Sequence, residues 1–132
     1  TSSLPVISSD LFPTLLDVAG WELSRTDPLD GESLKGWILG EIPLKRNALY
    51  FHYPNYAFHK NNRLGSAIRK GHHKLIHFYD DDSLELYDLE KDLAESKDLS
   101  ASSPELVRAL KLELDQWRQR TRAIAPTRVA LP

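Results

Sequence analysis

Gly65-Ser66-Ala67-Ile68-Arg69-Lys70-Gly71-His72-His73-Lys74-Leu75-Ile76, followed by Leu84-Glu85-Leu86-Tyr87-Asp88-Leu89, is the stretch on which the fold turns. Residues 66–70 alternate small or apolar with polar side chains until Gly71 breaks the run. Residues 74–79 and 84–89 flank Asp80-Asp81-Asp82-Ser83, a row of turn formers. Alternation at period two between turn formers predicts antiparallel strands joined by tight turns. Just upstream, Ala48-Leu49-Tyr50-Phe51-His52-Tyr53 is strand-prone through its aromatics and is stopped by Pro54. The four runs together predict a four-stranded antiparallel meander, with a polar loop over 55–63 between its first two strands.

Helical signals lie on either side of the predicted sheet. Ser103-Pro104-Glu105 offers a hydroxyl cap, a proline at the first helical position and an acid in the first turn. Leu106, Leu110, Leu114 and Trp117 then recur at spacings of four, four and three. That is one apolar stripe, widened by Val107 and Thr121, on a helix over 104–122 that covers one face of the sheet; Glu113, Arg118 and Arg120 fall on the other side. Near the start, Ser8-Ser9-Asp10 reads as the cap of a short helix over 11–19, with Pro13 tolerated in its first turn and Gly20 supplying a left-handed stop. Leu11, Leu15 and Val18 share one face and Phe12, Leu16 and Ala19 the next, an apolar surface wide enough to require a partner. Residues 22–41 form a polar connection with one helical turn around Leu34, Trp37 and Ile38.

Composition narrows the class of function. The chain has 132 residues, 41% hydrophobic and 27% charged, enough for one core and typical of a globular protein. A formal charge of −2 gives no electrostatic case for nucleic acid or an anionic membrane. No apolar run approaches the ~20 residues of a membrane span, and no basic-then-apolar start marks a signal peptide. With no cysteine, disulfides, thiolate metal sites and a cysteine nucleophile are excluded. A first residue of Thr1 and an unpatterned run over 123–132 are what a piece of a longer protein would have.

A series of motifs in order resembles the C-terminal subdomain of the sulfatases, the arylsulfatase-like, formylglycine-dependent enzymes of the alkaline phosphatase superfamily. Asp10-Leu11-Phe12-Pro13-Thr14-Leu15-Leu16-Asp17-Val18-Ala19-Gly20 is similar to that family's helix, and Asp30-Gly31-Glu32-Ser33-Leu34 to its D-G-x-S-L turn. Tyr50-Phe51-His52-Tyr53-Pro54 resembles its first strand. The 66–76 run and Glu85-Leu86-Tyr87-Asp88-Leu89 resemble the strands that follow, and Trp117 with Ala125-Pro126 the final helix and tail. The resemblance implies a parent enzyme that hydrolyses a sulfate ester, in which a hydrated formylglycine attacks sulfur while Ca²⁺ and cationic side chains stabilise the developing charge. It also implies that the chemistry lies elsewhere. No C/S-x-P-x-R motif for formylglycine occurs in these residues, so no catalytic residue and no cofactor is assigned here and these residues alone would be inactive. By that resemblance, Ca²⁺ and formylglycine would belong to a missing N-terminal catalytic domain. The resemblance further implies a sulfate-ester substrate, including sulfated carbohydrate, and a periplasmic or secreted setting.

Among these residues His52 is the first substrate-binding candidate: it sits in an aromatic strand beside a proline and a polar loop, and imidazole can donate to a sulfate or sugar oxygen. It reads equally as a half-buried strand residue bonded locally. Tyr53, Asn55, Tyr56 and His59 supply aromatic surface and polar partners suited to a sugar ring, or form an ordinary surface loop. Arg69 can grip an anion with two donors, or pair with an acid on the neighbouring strand. His72, His73 and His77 give no metal site on strand alternation, which puts His73 and His77 on one face and His72 on the other. The Asp80-Asp81-Asp82 run lacks the spaced ligands and glycine of a calcium loop and reads as a turn tip.

The combined expectation is an α+β chain, a four-stranded antiparallel sheet packed by a C-terminal amphipathic helix and preceded by a short helix belonging to a missing α/β catalytic domain. Residues 1–45 would be the edge of that domain and its connection, and 46–132 the C-terminal subdomain. A stand-alone carbohydrate- or protein-binding module is the alternative, and a subdomain of a phosphate-ester relative is a third reading.

Overall fold

The computed structural model describes residues 4–21, 29–55 and 62–126 and has the expected α+β architecture. The chain divides into two compact units, Thr1–Leu49 and Tyr50–Pro132.

In the first unit a short 3₁₀ turn over Ser8–Asp10 leads into α1, Leu11–Val18. Helix α1 stops where Gly20 adopts φ +76°. The Trp21 N–H then reaches the Leu16 carbonyl at 2.9 Å and the Gly20 N–H that of Asp17 at 3.2 Å, the two bonds of a Schellman stop. The start of α1 differs from the sequence expectation. Asp10 makes no cap bond; its carboxylate turns away to accept the Ile7 N–H at 2.9 Å and the Glu32 N–H at 3.1 Å, and it pairs with both Nη atoms of Arg46. Asp10 is fully buried, and a charge without water needs this many donors. Burial alone would push its carboxyl up, but Arg46 and the two backbone N–H groups hold it below the ordinary value of 3.8.

The Asp30-Gly31-Glu32-Ser33-Leu34 turn is fastened along the same helix. The Leu34 N–H donates to Thr14 Oγ1 at 2.9 Å, and Thr14 in turn donates to the Asp10 carbonyl at 2.6 Å. Ser33 Oγ donates to Asp17 at 2.6 Å, and Glu32 Oε1 accepts the Lys45 N–H at 2.7 Å. Gly31 lies against backbone: a Cβ there would sit 2.0 Å from the Ser9 carbonyl oxygen, so no other residue fits. Helix α2, Lys35–Ile38, is the expected single turn. The apolar face of α1 is uncovered in this unit, with Leu11, Leu15 and Val18 each more than half exposed.

The sheet runs in the order β1 (Ala48–Tyr53), β2 (Gly65–Lys70), β3 (His73–Phe78), β4 (Leu84–Asp88), antiparallel as expected. Helix α3, Pro104–Thr121, packs against β2 and β3. Register fixes the core. Ile68 pairs with Leu75 and Leu75 with Leu86, and all three are fully buried together with Leu114 of α3. The outer edge of β4 is covered, since the Leu86 N–H donates to Asp98 Oδ1 at 2.9 Å and the Leu99 N–H to the Leu86 carbonyl at 2.8 Å.

Two details of α3 depart from the sequence reading. Ser103 contributes its carbonyl, which accepts the Val107 N–H at 3.1 Å, and no hydroxyl cap. Glu113 and Arg118 do not lie on a solvated face. Glu113 accepts Lys70 Nζ at 2.6 Å and the Tyr50 hydroxyl at 3.0 Å, while the Arg118 guanidinium lies 5.0 Å from the Tyr79 ring centre. Both sit at the margins of the apolar stripe, where long side chains fold back onto the sheet.

Replacing Arg46 by Ala strands the buried Asp10 charge and is expected to cost roughly 3–5 kcal/mol at neutral pH. Because the folded-state carboxyl is depressed, the pair's contribution is present above the ordinary value of 3.8 and is lost as pH falls through the lower folded value. Denaturant melts should therefore show a wild-type advantage that narrows in acid; a gap of constant size from neutral to acid would refute the pairing. Gly31→Ala forces the turn off the Ser9–Asp10 backbone and is expected to cost at least about 2 kcal/mol in the same melts.

Candidate functional site

The sheet of the second unit has two faces with different contents. Directly paired residues point the same way, so Ser66 with His77, Ile68 with Leu75, and Lys70 with His73 face α3. Gly65 with Phe78, Ala67 with Ile76, and Arg69 with Lys74 face the other way.

His52 lies on the α3 side. Its Nδ1 meets Ser66 Oγ at 2.8 Å and the Tyr79 hydroxyl at 3.0 Å, and the Ser66 and Tyr79 hydroxyls also bond each other. Its Nε2 lies 3.1 Å from the Ile124 carbonyl, which only accepts, so Nε2 donates there. Tyr79 stands edge-on between the His52 and His77 rings at 5.9 and 5.4 Å. Both nitrogens of His52 are thus engaged within the fold.

The opposite face holds a cleft of ≈ 380 Å³. Phe51 and Tyr53, alternate residues of β1, form one wall and are each about two-fifths exposed. Arg69 and Lys74 rise from the floor, and Arg63 lies 3.7 Å above the Phe78 ring centre. The cations differ in how they are occupied. Lys74 is clasped by both oxygens of Glu95 at 2.7 Å, and Arg63 binds Asp81 at 2.7 Å. Arg69 faces Lys74 across the strands, not an acid, so the expected ion pair to a neighbouring strand does not form. Among the described residues it makes no ion pair, and its buried Nε has no hydrogen-bond partner. A guanidinium beside two other cations, walled by aromatic rings, is chemically suited to an anionic group on a ring-bearing ligand.

Of the sequence candidates, Tyr53 and Arg69 meet in this cleft, His52 lies on the other face, and Asn55 is on the exposed bend after Pro54. Tyr56 and His59 lie outside the described residues. Phe51, Arg63, Lys74 and Phe78 went unread in the sequence; counting back two from Tyr53 and pairing β2 with β3 would have found all but Arg63. Nearby, Tyr87 remains a neutral phenol, its pKa pushed up to about 12 by burial and by the Glu85 carboxylate that accepts its hydroxyl at 2.8 Å.

The described residues do not fit Ca²⁺, which takes six to eight oxygen ligands. Asp81 accepts the Ser83 N–H and hydroxyl as well as Arg63, and Asp82 lies 2.6 Å from His77 Nε2, so the acidic run is spent on its own turn. The histidine expectation needs correction. His72 is not a strand residue: Gly71, at φ +58°, swings it to the side of His73, and their rings stand 4.1 Å apart. No helix of the described residues is long and apolar enough to cross a membrane.

Comparison with known proteins places these observations. The chain is 34% identical over 104 residues to a sulfatase of Formosa agariphila, covering 72% of this chain and 19% of the relative. It is 37% identical over 103 residues to an N-acetylglucosamine-6-O-sulfatase of Bacteroides thetaiotaomicron, covering 75% and 18%. A protein solved in complex with its substrate D-glucosamine-2-N,6-O-disulfate superposes with a TM-score of 0.72 at 32% identity, over 89% of this chain and 24% of that one. The chain therefore spans about a fifth of the length of the curated relatives it matches. Residues 3–120 match the family described as N-sulphoglucosamine sulphohydrolase, C-terminal, and by that match the chain belongs to the C-terminal domain family of the sulfatases.

Proposed function

We propose that this chain is the C-terminal portion of a sulfuric ester hydrolase, and that the open face of its sheet binds a sulfated amino sugar presented to a catalytic centre outside these residues. The observation that carries this reading is Arg69, whose buried Nε lacks a partner at the floor of an aromatic-walled cleft. Arg69 would take the sulfate, Phe51 and Tyr53 the hydrophobic face of the ring, and Asn55, Tyr56 and His59 polar groups at its edge. His52 would contribute by holding the strand that carries Phe51 and Tyr53, through Ser66 and Tyr79. The amino-sugar class follows from the relatives, one named for N-acetylglucosamine 6-sulfate chemistry and one solved with a glucosamine disulfate. Formylglycine and Ca²⁺ belong, in this reading, to an N-terminal catalytic domain, because the sequence here lacks the motif and the described residues form no oxygen cage.

The partner of the α1 face follows from the same reading. Residues 1–45 would form the edge of that domain, and 46–132 the C-terminal subdomain. The exposed Leu11, Phe12, Leu15, Val18 and Trp21 would then pack against the remaining four-fifths of the enzyme.

Saturation-transfer NMR of the 132-residue chain with glucosamine 6-sulfate tests the cleft. Binding is expected to fall at least about tenfold in Arg69→Ala and in Phe51→Ala, and to be absent with unsulfated glucosamine. Equal binding of both sugars, or an indifferent Arg69→Ala, would sink the assignment. For α1, sedimentation velocity should show self-association of the chain that grows with concentration and is abolished by Leu15→Glu. A chain that stays monomeric at every concentration would count against an interface on that helix.

A further inference from the structure

The turn between β2 and β3 and the last residue of β4 bring together two imidazoles and a carboxylate. One ligand atom from each of His72, His73 and Asp88 lies within 4.8 Å of the others. Two separate geometries produce this. His73 and Asp88 are direct partners across β3 and β4, which places their Cβ atoms about 5 Å apart on the same face. His72 joins them because Gly71 takes a left-handed conformation, so the chain reverses before His73 enters its strand. The turn is tied down as well, since the His72 carbonyl accepts the Leu89 N–H at 2.7 Å, immediately beyond Asp88.

We propose that His72, His73 and Asp88 form a binding site for a divalent transition-metal ion, with zinc the best match. Two nitrogens and one carboxylate oxygen suit Zn²⁺ and its borderline neighbours, and not Ca²⁺ or Mg²⁺. A tetrahedral zinc with bonds of roughly 2.1 Å holds its ligand atoms about 3.4 Å apart, so closing the site requires side-chain movement of up to about 1.4 Å. His72, the exposed member, is free to make that movement. The three groups are graded from exposed His72 to buried Asp88, which leaves the outer coordination positions to water.

The surroundings hold the Asp88 carboxylate in place at this site. Asp88 Oδ1 is already oriented by the Glu90 N–H at 3.1 Å. Its Oδ2 is held at 3.0 Å by Lys91, an ammonium about four-fifths exposed that water can take back at little cost. Bound metal would join the β2–β3 turn to the end of β4 and stabilise the sheet by mass action. This site lies on the α3 side of the sheet, away from the cleft residues, and stands whether or not the cleft binds sugar.

Isothermal titration of ZnCl₂ into the metal-stripped 132-residue chain tests the proposal. One Zn²⁺ per chain is expected, with a rise in thermal midpoint that EDTA reverses. His72→Ala, at an exposed turn, should keep the stripped chain's midpoint and weaken Zn²⁺ at least about a hundredfold. Lys91→Met should tighten it several-fold by releasing Asp88. Absence of binding at millimolar Zn²⁺, or full affinity in His72→Ala, would overturn the site. Co²⁺ substitution gives a second readout: ligand-field bands are expected in the wild type and should vanish in His72→Ala.

Discussion

The row Ile68, Leu75 and Leu86 holds the second unit in one arrangement. These three residues stand side by side on β2, β3 and β4, and none has measurable exposure. A strand side chain alternates with period two, so slipping any of these strands by one residue would turn its entire set to the other face. Burying the row under Leu110 and Leu114 of α3 makes every such slip expensive. Everything chemical in the unit follows from that constraint. It sends Arg69, Lys74 and Phe78 to the open face, keeps Ser66 and His77 beside His52 and Tyr79, and sets His73 opposite Asp88.

The first unit depends on a different kind of interaction. Its described elements are short, and Asp10 gathers them: the backbone of Ile7 and Glu32 and the guanidinium of Arg46 all converge on one carboxylate. A buried ion pair adds little net stability compared with an apolar substitute, but it tolerates few geometries. The D-G-E-S-L turn can seat on α1 in one way only, with Gly31 against backbone and Ser33 on Asp17. Specificity of this kind suits a unit whose helix also presents an apolar face outward.

What the sequence disclosed depended on how local the cause was. The strands, their turns and α3 were legible because period-two and 3.6-residue patterns are written in consecutive residues. Asp10 was misread as a cap because its partner Arg46 lies thirty-six positions away, and nothing local separates a capping aspartate from a buried one. Glu113 and Arg118 were placed in solvent because helical position was read at the Cα, whereas their charged ends reach back to Lys70 and Tyr79. His72 was assigned to a strand, and only the left-handed Gly71 reveals that it belongs to the turn. Of the cleft, Tyr53 and Arg69 were visible as chemistry; their meeting, and the walls around them, required the register.

The covering of β4 by Asp98 and Leu99 makes the sheet directional as a template. A strand edge with free N–H and C=O groups invites another chain to add itself, and here one edge has its central residue already paired with the chain's own loop. The other border of the sheet is β1. A strand adding at the β4 border would first have to displace these bonds.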